Sequence, residues 1–385
     1  MKDYLEALIT EQINRSLTLI KLIVYPLKYS ELGGLAERCK IILDNRSQFL
    51  KVLRQELKKR EEDDLRDIFR DIRICTRDIA LVEYYGIPAL RYQTEEIGFL
   101  NKLMFKIHEE MRLPLPPPAV CCIATEHYFL NLFTNVVFAP LSESEFMLHL
   151  PDFYHEVGHY VLENRESELR LKVIKENYEL SFLEITEYYD DLLKRTRRDY
   201  GPPEIHIAIE RIHSQWKNWL IEFFCDLFAL YTVGPAYAWA HLHLTAKRSD
   251  DIYELSFLQF QKHPSDESRM RILIFGLKNL GFNEEAKKIL SRWSELSRYW
   301  GEPKSEYQYA YPDILLKKIS ELILDGLRRA GVLVVSSKTL TDEDGQSIRA
   351  ILNSTWNIFW KSERDDFRKL EEKNLKILRE VCGST

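Results

Sequence analysis

The sequence predicts a mostly α protein with a small β element, flanked by N- and C-terminal helical regions. Three observations predict it. Gly and Pro number only 14 each in 385 residues, a scarcity that favours long uninterrupted helices. Apolar residues recur at helical spacing over much of the chain, as at Leu5, Leu8, Ile9 and Ile13. The clearest change of texture, Leu113–Pro118 (LPLPPP), cannot continue a helix and is followed by short β-like runs.

Taken in order, residues 1–112 read as helical throughout. Gly33-Gly34 breaks the first helical pair, and Ile42, Phe49, Leu53 and Leu57 continue the apolar stripe. The stretch 51–73, dense in both charges, suits a solvated helix face laced with i,i+4 pairs, with a partner-binding arm as the alternative. Ala119–Ala124 and Thr134–Ala139 read as two strands that pair as a small sheet. Helices then follow over about 152–165, 168–197 and 203–233, the last stopped by Gly234-Pro235. A short helix reaches about Lys247, and a polar loop with His263-Pro264 leads into a helix over Ser265–Leu280. Asn283–Tyr299 and Asp313–Ala330 are further helices. Val332–Val335 reads as a short strand, and a last helix covers about 342–381 with a break near Trp356. The expected regions are therefore 1–112, 113–280 and 281–385.

Composition excludes several classes. Charged residues at 30% and hydrophobic ones at 45% match an ordinary globular chain rather than a disordered one. A net charge of −6 argues against a dedicated nucleic-acid binder. Six cysteines without a C-x-x-C pair read as reduced thiols. The start, MKDYLEALITEQ, has no basic-then-apolar signal, so a cytoplasmic location is expected. The apolar run Trp219–Leu244 imitates a membrane span. It contains Glu222, Asp226 and a Gly-Pro break, which would be expensive in lipid, so a buried core helix is expected instead.

The sharpest motif is His155-Glu156-Val157-Gly158-His159, an H-E-x-x-H. Four helical residues turn through about 400°, so both histidines lie on one face, one turn apart. At that spacing two imidazoles can share a Zn²⁺ at about 2.0–2.1 Å each. Glu156 then lies beside the metal, where it can take a proton from water. Gly158, costly in mid-helix, implies that a backbone or a substrate passes close. A catalytic zinc needs a third protein ligand and an open position. Glu222 is the best candidate, because a carboxylate in so apolar a helix must be paired or metal-bound. Asp226, one turn on, can accept the ring N–H of a ligand histidine. Glu163 is a rival third ligand, more suited to the rim, and Cys225 reads as a small buried hydrophobe. For oxyanion stabilisation Tyr237 and His263 are preferred to His213 and Tyr231, which fall on the opposite face from Glu222. Arg269 or Arg271 is the candidate for holding a substrate carboxylate.

The combined pattern H-E-x-x-H…E-x-x-x-D resembles the gluzincin metallopeptidases, of the thermolysin and CAAX-prenyl-protease types. The resemblance covers about residues 134–275 and implies a zincin-like catalytic core. In that family two His and a Glu bind zinc, the motif Glu is the general base, and an Asp one turn after the ligand Glu supports a His. Carried over, His155, His159 and Glu222 resemble the ligands, Glu156 the base and Asp226 the supporting carboxylate. The step from His159 to Glu222 is longer than thermolysin's and nearer the CAAX-protease type, although no convincing transmembrane helix is present. The Gly234-Pro235-Ala236-Tyr237 and His263-Pro264…Arg269…Arg271 segments also resemble an uncharacterised group of bacterial and archaeal metallopeptidase-like proteins. The resemblance implies a zinc cofactor and a peptide or protein substrate. The N-terminal helices remain available to cover the cleft or meet a protein partner. The alternative is a helical interaction module whose metal site is structural or vestigial.

Overall fold

In the computed structural model, 79% of the chain is helical, and one three-stranded sheet is present among the described residues. The structure describes the chain except residues 1, 24–29, 61–64, 123–127, 165–167, 199–202, 248–250, 256–262, 343–346, 362–363 and 384–385. Residues 1–105 with 116–144 form one compact unit, and residues 106–115 with 145–385 form a second.

In the first unit, α1 (Lys2–Leu22), α2 (Gly33–Lys59) and α3 (Arg66–Leu81) pack on one another. Their helical spacing buries Leu5 and Ile9 of α1, Leu43, Leu50 and Leu57 of α2, and Ile68, Ile72 and Ile79 of α3. Part of the charged stretch 51–73 lies outside the described residues. A π-helical turn at Val82–Gly86 leads into α4 (Ile87–Arg91), and α5 (Glu95–Met111) follows. The sheet comprises β1 (Ala119–Cys121), β2 (Phe129–Asn131) and β3 (Val136–Phe138) in the order β1-β3-β2. The two expected β runs do pair, in parallel, with Ala119 opposite Val136. The aromatic stretch between them supplies the third strand, antiparallel to β3. Asn101 of α5 satisfies the edge strand, accepting from the Val120 N–H and donating to its carbonyl, each at 2.9 Å.

The second unit is built around one helix. Its elements are α6 (Asp152–Glu163), α7 (Leu169–Arg198), α8 (Pro203–Val233), α9 (Pro235–Lys247), α10 (Asp266–Asn279) and α11 (Asn283–Ser297). Then come α12 (Tyr307–Ala310), α13 (Asp313–Arg329), α14 (Ser337–Asp342), α15 (Ile348–Lys361) and α16 (Arg364–Val381). Helix α8 is contacted by α6, α7, α9, α10, α12, α13 and α15. Every residue from Glu222 to Ala240 is buried, which is why this stretch is apolar on all sides. Among the described residues no helix is long and apolar enough to cross a membrane.

The expected three regions are redrawn in two ways. The sheet belongs to the first unit, whereas the H-E-x-x-H helix belongs to the second. The helices of 281–385 share a unit with that helix, because α13 packs on α7 and α8 and α15 packs on α8 and α9. Val332–Val335 forms no strand. It is a connection whose Leu333 and Val335 N–H groups bond to the carbonyls of Met111 and Tyr231. Helix α15 runs unbroken through Trp356, and the expected last helix over 342–381 is two helices, α15 and α16. From α16, buried Glu371 accepts the Met147 N–H at 2.9 Å and Arg368 donates to the Glu145 carbonyl, so the C-terminus fastens the segment entering α6.

Candidate metal centre

Helix α6 begins beside Pro151 with Asp152 in its first turn, where a carboxylate complements the helix dipole. Its only glycine faces α8. A Cβ at Gly158 would lie 2.9 Å from the Cα of Cys225, closer than van der Waals contact permits. The backbone that the glycine anticipates is therefore that of α8. The close approach sets Glu222 against both histidines of the motif. His155 Nε2 lies 3.4 Å from Glu222 Oε2, and His159 Nε2 lies 3.7 Å from Glu222 Oε1.

These spacings suit ligands around a shared centre. Donors on a tetrahedral ion at about 2.0–2.1 Å are about 3.4 Å from each other. Each imidazole faces a different carboxylate oxygen, and Glu222 Oε2, though buried, accepts no well-directed hydrogen bond. Two neutral imidazoles and one carboxylate are also a donor set that zinc accepts. The residues present fit the ion.

Behind the site, His155 Nδ1 lies 2.9 Å from the Tyr237 hydroxyl and 3.1 Å from Asp226 Oδ1. Asp226 is wholly buried and takes a two-pronged grip from Arg269, with Nε to Oδ2 at 2.8 Å and Nη2 to Oδ1 at 2.6 Å. The Tyr237 hydroxyl donates to Asp226 Oδ1 at 2.5 Å. Tyr237 reaches this point because the Gly234-Pro235 break turns the chain from α8 into α9. Gly234 adopts φ 90°, a conformation open chiefly to glycine. Asn353 of α15 secures the break, donating to the Val233 carbonyl at 2.7 Å and accepting from the Ala236 N–H at 2.8 Å.

The charges follow from this wiring. Burial disfavours a proton on His155, but hydrogen bonds to Asp226 and Glu222 outweigh it and lift the ring to about 10. Burial and the neighbouring His155 push His159 down to about 4. Burial would raise the carboxyl of Glu222, yet His155 and His263 hold it well below the usual range. Burial opposes charge on Asp226 as well, and the Arg269 guanidinium overrides it. Without a metal, the two carboxylates thus keep a proton on His155.

The remaining candidates are distributed as follows. Glu156 is buried on α6 beside the histidines. His263 Nδ1 lies 3.0 Å from Glu222 Oε2 and the side chain is two-thirds exposed, so it stands at the mouth of the site. Tyr237 differs from its expected oxyanion role, because its hydroxyl sits at the Nδ1 side of His155, whereas Glu222 faces Nε2. Arg269 also differs from expectation, since its Nε and Nη2 donors are engaged by Asp226 rather than facing a substrate. Arg271 is bound by Glu267, Asp313 and the Tyr311 carbonyl, which absorbs its charge away from the site. Glu163 lies 3.9 Å from His159 Nδ1 and is exposed. His213 stacks on Tyr189, and the Tyr231 hydroxyl bonds to the Ser320 carbonyl.

Cys225 offers a rival third ligand, because its sulfur and one ring nitrogen of each histidine lie within 4.8 Å of one another. Burial, with Glu222 and Asp226 nearby, drives its thiol pKa far up, which opposes the thiolate a metal needs. Its Sγ also packs 3.3 Å from where a Gly158 Cβ would stand. Glu222, already ionised and facing both Nε2 atoms, is the better donor. The roles of Arg269 and Tyr237 were hidden in the sequence, but one signal pointed to them: a buried Asp226 in an apolar helix must find a cation or a hydroxyl partner.

No protein family, no curated protein and no solved structure matches this chain.

Proposed function

We propose that the chain is a zinc-dependent metallopeptidase of gluzincin type. The observation that carries this reading is the convergence of two imidazole Nε2 atoms on opposite oxygens of one buried carboxylate, with one of those imidazoles tied back through Nδ1. His155, His159 and Glu222 hold the ion. Zinc bound there supplies Lewis acidity towards a peptide carbonyl and towards water. Glu156 takes the proton from the attacking water and delivers it to the leaving amine. His263, at the mouth, is the donor within reach of charge developing on the carbonyl oxygen. The substrate is a peptide or protein, and six thiols without a disulfide accord with a reducing, cytoplasmic setting.

The test is Glu156→Gln, which retains the carboxylate's shape but not its basicity. It should keep zinc, measured by mass spectrometry per chain, while hydrolysis of a quenched peptide library falls by about 10²–10⁴-fold. Undiminished cleavage by a purified Gln variant would remove Glu156 from the mechanism.

A second reading is favoured by one contact. His263 Nδ1 lies close enough to Glu222 to act as a fourth protein donor, which would close the coordination and make the metal structural. His263→Ala separates the two. Under the peptidase reading the variant keeps its zinc and loses turnover. Under the structural reading zinc affinity falls and neither protein hydrolyses peptides.

A further inference from the structure

The metal-facing nitrogen of His155 is useful only if the ring's proton stays on the other nitrogen. The expected device for this was Asp226 acting alone. The distances describe a different arrangement. Asp226 Oδ1 receives the Tyr237 hydroxyl at 2.5 Å and Arg269 Nη2 at 2.6 Å, and His155 Nδ1 is its most distant neighbour at 3.1 Å. The Tyr237 oxygen is nearer to that nitrogen, at 2.9 Å. A phenol that has donated its proton to Asp226 has lone pairs left to accept one.

We propose that Tyr237 is a positioning residue that holds the His155 proton on Nδ1, through a chain running His155 Nδ1–H to Tyr237 oxygen and Tyr237 O–H to Asp226. Arg269 fixes the far end. With both carboxylate oxygens in its grip, Asp226 cannot swing to take the imidazole proton directly. The opposite tautomer would require the Tyr237 hydroxyl to turn from an ionised carboxylate to a neutral nitrogen, giving up a charge-assisted hydrogen bond. When a metal takes the place of the other ring proton, the lone pair it needs is therefore on Nε2, the nitrogen that faces Glu222. The inference rests on the metal-centre reading above, since it concerns one ligand of that centre.

The experiment compares Tyr237→Phe with Tyr231→Phe, His155→Ala and wild type on the full chain. Tyr231 is an equally buried tyrosine on the same run of α8 and α9, but its hydroxyl bonds to Ser320, away from the site. Zinc affinity is measured by chelator competition, and the ligand field by the visible spectrum of the cobalt-substituted protein. Loss of the hydroxyl in Tyr237→Phe should weaken zinc by about tenfold and shift the cobalt bands, in the range typical for partners of ligand histidines. Tyr231→Phe should match wild type in both. Wild-type affinity and an unchanged cobalt spectrum in Tyr237→Phe, with the metal lost from His155→Ala, would discard the tyrosine while leaving the metal centre standing. Equal weakening in both Phe variants would also overturn it, as a packing effect. Failure of the wild type to take up either metal would overturn the metal reading and this proposal together. Should Tyr237→Phe not fold, ring ¹⁵N NMR of the zinc-loaded wild type decides: a His155 Nδ1 proton with a cross-peak to the Tyr237 hydroxyl supports the chain, and an Nδ1 proton without that cross-peak overturns it.

Discussion

Each unit buries an aspartate on a central helix, and the two are treated differently. In the first unit, Asp78 of α3 is reached by Arg46 at 2.7 Å and Arg77 at 3.0 Å, side chains 35% and 69% exposed. The cations keep contact with water and only their tips reach the carboxylate. In the second unit, Asp226 is paired with an Arg269 that is itself buried, and one turn earlier Glu222 faces the imidazoles of His155, His159 and His263. Snorkelling arginines satisfy a stray buried charge. Glu222 instead faces ring nitrogens of His155, His159 and His263, the arrangement that the proposed metal centre would use. The contrast separates a structural buried charge from a proposed ligand set.

The largest effect should come from removing a ligand. His155→Ala and Glu222→Ala should each lose the zinc that wild type carries, read as metal per chain by mass spectrometry, whereas Asp78→Asn should keep it. A metal-free wild type after reloading would erase the distinction between the two carboxylates. Next is the buried pair. Arg269→Met strands Asp226 in the interior and should cost about 3–5 kcal/mol in denaturant unfolding, the range for breaking a buried ion pair.

His108 sharpens the comparison by showing a third solution, in which a buried polar group stays neutral. Burial pushes it down to about 3, against a contact with the Leu115 backbone. Between about pH 6.5 and 3 the unfolded chain binds a proton there that the folded chain refuses. Stability should therefore fall as the pH drops through that window, by up to about 1.4 kcal/mol per pH unit from this group. His108→Leu should flatten the decline. His241, lowered by burial to about 4, leaves part of it in place. Unfolding titrations at pH 4.5 and 7 on both proteins test this, and parallel slopes would acquit His108. The smallest effect belongs to the first unit. Arg46→Met should cost about 1 kcal/mol or less, because the pair is partly solvated and Arg77 remains, with no change in zinc.

Much of the fold was legible because the helices carry their own punctuation. Pro203 and Gly234-Pro235 bound α8, and Ser265 caps α10 by accepting the Ser268 N–H at 3.2 Å. The β2 strand was missed because Phe129–Asn131 is short and lies half at the surface, so no alternation announces it. Val332–Val335 was misread because a β-branched apolar run also suits a buried connection whose N–H groups find carbonyls on other elements. The candidate site was legible where one helix fixes the spacing, as at His155 and His159, and where chemistry is out of place, as at Glu222 and Asp226.

By itself, the sequence determined the helical architecture, the imidazole pair one turn apart, and the presence of two carboxylates too polar for their helix. Those depend on local geometry and on the free energy of burying charge, both of which can be read from neighbours along the chain. The tertiary structure decided which groups meet. Only it brought Arg269 onto Asp226, turned Tyr237 onto Nδ1 of His155, and put the sheet and the H-E-x-x-H helix in different units. Each of those contacts joins residues on different elements, so it is set by how helices pack rather than by any spacing in the sequence.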